Sequence, residues 1–269
     1  MSIHRRLRPA VAGLIVAVVF AAAPSANHSW GNYHWARTSN PFTLKVGVNL
    51  SSDWRPYLDL AVQDWNVSSV LDLSQVAGGT RPKNCRPTSG RIEACNARYG
   101  NNGWLGLAQI WVSGSHITQG TAKMNDTYFT TAQYNTPAWR RLVVCQEIAH
   151  DFGLDHQDEN FDNPNLGTCM DYTSDPDGPP SNVSPNQHDY DQLETIYAHL
   201  DSATTIGQRV TGNPAAMDQI EMDTPGQWGR LVRDARRTSL YELDFGHGRK
   251  VFTFVIWADD ARGRGRVEE

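Results

Sequence analysis

The fold is decided by residues 145–156, which read Cys145-Gln-Glu-Ile-Ala-His-Asp-Phe-Gly-Leu-Asp-His156. Gln146 and His150 are four residues apart, so on a helix they share one face, with Glu147 beside them. Gly153 allows a sharp turn after the helix, which can bring His156 back toward His150. Two imidazoles and a neighbouring carboxylate are the groups that a catalytic zinc ion with an open water position requires.

The residues before this stretch predict the helix that carries it. Thr136-Pro137 is typical of a helix N-cap followed by proline at the first helical position. The predicted helix runs to about Phe152, and Gly153 provides its C-terminal stop. The candidate zinc-binding groups therefore lie in the last turns of this helix and just beyond it.

The stretch resembles the metzincin zinc-peptidase signature H-E-x-x-H-x-x-G-x-x-H. Glu147, His150, Gly153 and His156 match it, and Gln146 stands where the family has its first histidine. The resemblance covers roughly residues 41–201. It implies a zinc ion held by Gln146, His150 and His156, with Glu147 as general base on a water molecule.

A second motif follows at Thr168-Cys-Met-Asp-Tyr172, which resembles the Met-turn of the same family. The resemblance implies that Met170 underlies the metal and that Tyr172 is an extra metal ligand or stabilises the oxyanion. It also implies a protein or peptide substrate. Metzincins keep a sheet edge where the strand at residues 107–112 is predicted, so the substrate is expected to add to that edge as an extra strand.

Gln146 leaves three outcomes open. It could ligate zinc through its amide oxygen, Tyr172 or a loop carboxylate such as Asp155 could complete the ligand set, or the metal could be lost. We favour the first, because the retained Glu147 would have no evident structural task beside an empty site. An amide oxygen is a weaker donor than an imidazole nitrogen, so the expected cost falls on zinc affinity.

Residue periodicity predicts strands and helices in a mixed order. Strands are expected at residues 42–50, 70–76, 92–97, 107–112, 117–124, 228–232, 239–245 and 250–258, and the remaining helices after Asp53 and at residues 187–200. By resemblance, these elements form an α+β fold. Its expected parts are a metzincin-like twisted mixed sheet, an active-site helix and a C-terminal helix, followed by a small C-terminal β-appendage.

Composition divides the chain into four parts. Residues 1–26 are predicted as a secretory signal peptide, 27–201 as the metzincin-like catalytic domain, 202–224 as a linker, and 225–269 as a small β-appendage with a mobile tail. The signal peptide is predicted from three arginines ahead of an apolar run and small residues. The apolar run is too short to span a bilayer comfortably, so a secreted, extracellular protein is expected.

The charge balance argues against a nucleic-acid partner. The chain has 24 Lys and Arg against 29 Asp and Glu, a net charge of -5. Loss of the three arginines of the signal peptide leaves 21 basic against 29 acidic residues, a net charge of -8. Such a chain lacks the basic excess with which proteins bind phosphate backbones.

Four cysteines in an exported chain favour two disulfides. Three pairings are open in principle. Cys85 and Cys95 flank a polar loop and would close it locally, which leaves Cys145 with Cys169. The metzincin layout implies the second bond as well, because it stacks the zinc helix and the Met-turn around one metal.

These features predict a secreted zinc metalloendopeptidase. The rival interpretation is a catalytically inactive metzincin-fold module that binds peptides on the same edge strand, because Gln146 replaces a zinc-binding histidine. Six further histidines have no ligand spacing and are interpreted as surface or hydrogen-bonded residues: His28, His34, His116, His188, His199 and His247.

Overall fold

The computed structural model of the chain describes residues 28–209, 217, 220 and 222–258. The predicted signal peptide lies outside these residues, as do parts of the predicted linker and the tail after residue 258. Within the described part of the chain, no helix is both long and apolar enough to cross a bilayer.

Nine strands and three α-helices make up the described fold, which confirms the expected α+β class with a mixed sheet. The strands are β1 (His34–Trp35), β2 (Phe42–Asn49), β3 (Leu71–Ala77), β4 (Ile92–Ala97), β5 (Trp104–Ser113), β6 (His116–Asn125), β7 (Arg230–Ala235), β8 (Thr238–Asp244) and β9 (Arg249–Trp257). The helices are α1 (Arg55–Trp65), α2 (Pro137–His150) and α3 (Gln187–Ile196).

The strands form one sheet in the order β3-β2-β4-β6-β5-β9-β8-β7, and the short β1 pairs with β6. Strands β2, β3, β4 and β6 run parallel, whereas β5, β9, β8 and β7 continue the sheet with antiparallel pairs. The three C-terminal strands, which the sequence predicts as a small appendage, are therefore joined to the rest of the sheet through β9.

The expectation that residues 107–112 form an open sheet edge is wrong. Strand β5 contains these residues and is paired along its length with β9, from Trp104 opposite Trp257 to Ser113 opposite Arg249. The physical reason is the composition of β9, whose residues 251–257 are buried on both faces. A strand that is apolar on both faces gains most by lying inside a sheet, covered on both sides.

Two cores cover the two faces of this region. On one face, Phe252, Phe254 and Ile256 of β9 join the large core that also contains α1 and α2. On the other, Val251, Val255 and Trp257 pack in a smaller core with aromatic residues of β5 and with Trp228. Helix α2 packs on β5 and β6, and β5 is the strand paired with β9.

Local chemistry places α2 as the sequence predicts. The Thr136 side chain accepts a hydrogen bond from the Trp139 N–H, and Pro137 takes the first helical position. After the helix, Gly153 adopts φ +101°, and a Cβ at this position would lie 2.6 Å from the Tyr33 carbonyl oxygen. Only glycine fits this turn without strain, and the turn returns the chain toward α2.

Both predicted disulfides are present. Cys85 is bonded to Cys95, and Cys145 of α2 is bonded to Cys169. The second bond closes 24 residues of chain and fastens the helix that carries Gln146 to the segment that carries Met170.

Candidate metal centre

The last turns of α2 and the segment after Gly153 bring the two motif histidines together. The rings of His150 and His156 lie with centroids 4.5 Å apart and nearly perpendicular. His150 also stacks on Phe254 of β9, with ring centroids 4.3 Å apart. Gln146 lies one helical turn before His150, and the side chains of Gln146, Glu147 and His150 are fully buried.

His150 is held in the form that binds metal. Its Nδ1 lies 2.8 Å from the Leu154 carbonyl oxygen, an acceptor, so Nδ1 carries the proton of the neutral ring. Burial, and then the nearby His156, lower the pKa of His150 well below its usual range. The neutral ring therefore presents the lone pair of Nε2, the form that a metal ion requires.

Unpartnered polar atoms provide a test of whether these residues suit a zinc ion. Both side-chain polar atoms of Gln146 and Nε2 of His150 are buried and form no hydrogen bond with any described residue, whereas the Glu147 carboxylate is contacted by the backbone of Ala108. Each buried polar atom without a partner costs about 1–3 kcal/mol, so these atoms indicate a missing partner. An amide oxygen, an imidazole nitrogen and a neighbouring carboxylate fit a zinc ion.

Both ring nitrogens of His156 lie close to a neighbouring side chain, whereas Nε2 of His150 does not. The Tyr172 hydroxyl lies 2.9 Å from its Nδ1 and 2.5 Å from its Nε2. Burial raises the pKa of Tyr172 well above its usual range, so its phenol stays protonated and can donate a hydrogen bond. Met170 is buried beside this segment, where its carbonyl oxygen accepts a hydrogen bond from the Gln157 N–H.

Glu147 lies against the backbone of β5. A Cβ placed on Gly106 would overlap the Glu147 carboxylate, so glycine at this position makes room for it. Burial, and then the neighbouring Asp151 carboxylate, raise the pKa of Glu147 well above its usual range. A carboxylate with a raised pKa is a stronger base than a solvated one.

Asp155, an alternative third ligand in the sequence analysis, is already paired. Two hydrogen bonds of 2.7 and 2.5 Å join it to Arg233 of β7, which also lies 2.9 Å from Glu159. Although burial acts to raise it, the Arg233 hydrogen bonds and His156 lower the pKa of Asp155. The positive charge beside Asp155 and Glu159 is therefore the guanidinium group of Arg233.

Removal of this ion pair provides a test of how β7 supports the site. We expect Arg233→Gln to lower the free energy of unfolding by about 1–2 kcal/mol, because Asp155 loses its charged partner while Arg233 itself is partly exposed. Urea unfolding is the measurement. The matched control is Arg236→Gln, whose pairing with Asp162 is exposed and 3.5 Å long, with an expected change below about 0.5 kcal/mol. If both variants lose the same free energy of unfolding, the ion pair between Arg233 and Asp155 does not stabilise the site.

A pocket opens beside these residues with about 260 Å³ of empty space, part of it open to solvent. Gln146 and Tyr172 both line it, so the structure places two of the predicted site residues at one opening. The remaining wall is largely aromatic or apolar, with one arginine: Tyr134, Trp139, Leu142, Phe161, Thr173, Arg237, Ile256 and Trp257.

Sequence reasoning missed three residues that surround the site. Asp151 is a second fully buried carboxylate of α2, and burial raises its pKa well above the usual range although a hydrogen bond from the Thr121 backbone acts to lower it. Its place beside His150 was a signal that could have been used. Arg233 and Phe254 had no such signal, because they reach the site from strands about a hundred residues downstream.

A scan against protein-family models finds no match for the chain. No curated protein is similar to it in sequence. Among solved structures, the chain is similar to high choriolytic enzyme 1, a hatching enzyme zinc-protease from the medaka fish Oryzias latipes. The identity is 13%, 64% of this chain and 99% of that chain are covered, and the TM-score is 0.35, a likeness too distant to carry a function to this chain.

Proposed function

We propose that the protein is a secreted zinc-dependent endopeptidase, with Gln146, His150 and His156 as metal ligands and Glu147 as general base. The observation that carries the proposal is the set of buried, unpartnered polar atoms on Gln146 and His150, next to the buried carboxylate of Glu147. Buried polar atoms in a packed core almost always have a hydrogen-bond partner or a ligand.

The residues of the chain have separate tasks in this proposal. Glu147 accepts a proton from the attacking water and passes it to the leaving amine, and its raised pKa suits both transfers. Tyr172 is protonated and donates a hydrogen bond toward the oxygen that gains charge. A bound zinc ion would polarise the scissile carbonyl and lower the pKa of the water.

Substrate access is restricted by the sheet. Since β9 is paired with β5, an extended peptide has no free edge to join at residues 107–112. The pocket lined by Gln146 and Tyr172 offers an approach to the proposed metal ligands. Its aromatic lining favours an apolar or aromatic side chain next to the cleaved bond.

The second candidate function is that of an inactive relative that no longer cleaves peptides. The observation that favours it is the complete burial of Gln146, Glu147 and His150 under β9. The sequence analysis expects such an inactive module to bind peptides on the strand edge at residues 107–112. In the structure, β9 is paired with that edge. An inactive module would therefore bind its partner elsewhere.

Zinc analysis beside a cleavage assay tests the proposal. The secreted protein is loaded with zinc, freed of excess metal and incubated with an unfolded protein and with a library of fluorogenic peptides. We expect cleavage that a chelator abolishes and added zinc restores. Zinc bound at His150 without cleavage of any substrate would favour the inactive relative.

Secretion is part of the proposal and has its own support. Two disulfides are compatible with an oxidising, extracellular environment.

A further inference from the structure

Three histidines and one aspartate, far apart in sequence, meet at the end of the sheet where β1 begins. His34 is the first residue of β1 and lies in register with His116, the first residue of β6. His199 and Asp201 follow α3 and return to the same place. None of these residues belongs to the candidate centre on α2, and none has a role in the proposed peptidase.

The cluster is defined as His34, His116, His199 and Asp201, and the ligand atoms of His34, His199 and Asp201 lie within 4.8 Å of one another. Asp201 Oδ1 lies 3.4 Å from His34 Nε2 and 3.8 Å from His199 Nε2, and the two Nε2 atoms are 3.1 Å apart. Ligands placed tetrahedrally at zinc bond lengths of about 2.0–2.2 Å are roughly 3.3–3.6 Å from one another, which is close to these three separations. His116 lies beside this group, with its Nε2 3.3 Å from Asp201 Oδ1.

In the neutral form of His34, a proton or a metal ion is missing between this ring and Asp201. When His34 Nδ1 donates to the Asn32 carbonyl oxygen, 2.9 Å away, the lone pair of Nε2 faces Asp201 Oδ1 at 3.4 Å. Two acceptors at this distance repel unless a proton or a metal ion lies between them.

Supporting contacts orient the ligands as they do in metal sites. The Asn32 carbonyl oxygen fixes the ring of His34. Asp201 uses its other oxygen, Oδ2, to accept hydrogen bonds from the backbone N–H and the Nη1 of Arg37, both at 3.1 Å. Partners of this kind, which hold the far atom of each ligand, are typical of bound zinc.

We propose that His34, His199 and Asp201 bind a second zinc ion, which fastens the segment after α3 to β1. Two imidazoles and one carboxylate suit zinc better than magnesium or calcium, which prefer oxygen ligands. His199 is 49% exposed, so the metal exchanges with solvent and is open to a chelator.

Zinc counting in the full-length secreted protein is the test. The variants are His34→Ala and His199→Ala, each of which removes one proposed ligand, and the control is His247→Ala, an exposed histidine on the β8–β9 turn. After zinc loading and removal of excess metal, the cluster variants are expected to hold about one zinc ion fewer per chain than wild type and the control. His150→Ala is expected to remove the zinc ion at α2 instead. Each variant therefore reports on one site, and the second site can be detected even if the site on α2 binds no zinc.

Three further measurements keep the test valid if a variant folds poorly. Circular dichroism checks that each variant keeps its secondary structure, and cobalt loading of wild type is expected to give the visible absorption of a tetrahedral site, which falls in the His34 and His199 variants. Anomalous diffraction from zinc-soaked wild-type crystals locates the metal without any substitution. An unchanged zinc count in both variants, or a cluster without anomalous density, would overturn the proposal and leave a protonated histidine cluster.

Discussion

Glu147→Gln is expected to lower the rate of peptide cleavage by about 10²- to 10⁴-fold while the zinc content stays at the wild-type level. The amide has the shape of the carboxylate but cannot accept the proton of the attacking water. Glu147 is placed beside the proposed ligands and is not one of them, so its loss removes proton transfer and leaves metal binding. Initial rates at saturating zinc, with zinc content measured on the same samples, provide the comparison.

The matched control for this variant is Asp151→Asn. Asp151 is also a fully buried carboxylate of α2 in contact with the backbone of a strand, and burial raises its pKa as well. It faces Gly120 of β6, whereas Glu147 faces Gly106 of β5. If both variants lose activity equally, the effect is a general consequence of neutralising a buried carboxylate in α2, and Glu147 has no special role as base.

Local patterns predicted most of the secondary structure because each pattern has a local cause. The cap at Thr136 and the stop at Gly153 set the ends of α2 through hydrogen bonds and backbone geometry that depend on nearby residues. The strand at residues 92–97 was predicted with the bounds that the structure has, and seven other strands within a few residues, but the two-residue β1 was not predicted. Helix α3 is shorter than predicted, since it ends at Ile196 and the predicted range runs to residue 200.

Strand order could not be predicted from such patterns. Nothing in residues 104–113 indicates that β9 rather than a substrate pairs with them, because the pairing joins segments about 140 residues apart. The apolar character of β9 on both faces was visible in the sequence and pointed to a central strand, yet it does not identify the neighbour. The resemblance to metzincins, in which this edge is open, favoured the wrong interpretation.

The second histidine cluster escaped the sequence analysis for the same reason. Metal-site motifs are recognised by short spacings on one helix or turn, as at His150 and His156. His34, His116 and Asp201 are separated by about 80 residues each and meet only because β1 pairs with β6 and α3 returns the chain. Their convergence depends on the tertiary fold.

Gln146→His is expected to tighten zinc binding at α2 by at least about 10- to 100-fold. The substitution replaces an amide oxygen by an imidazole nitrogen on the same helix face, and even changes around ligands alter zinc affinity by about that factor. The two side chains are similar in size and both are neutral, so the buried position should accept the change without loss of fold. Competition with a chelator of known affinity is the measurement.

The titration is cleanest in a His199→Ala background, in which the proposed second zinc site is weakened and the site on α2 dominates. Gln146→Ala is the matched control and should bind zinc more weakly than wild type, because it removes the ligand without replacing it. If residue 146 is a ligand, zinc affinity is highest in the Gln146→His variant, intermediate in the chain with Gln146 and lowest in the Gln146→Ala variant. If all three chains bind zinc equally, Gln146 does not contact the metal, and the ligand set must be completed by another residue such as Tyr172, whose hydroxyl already lies against His156.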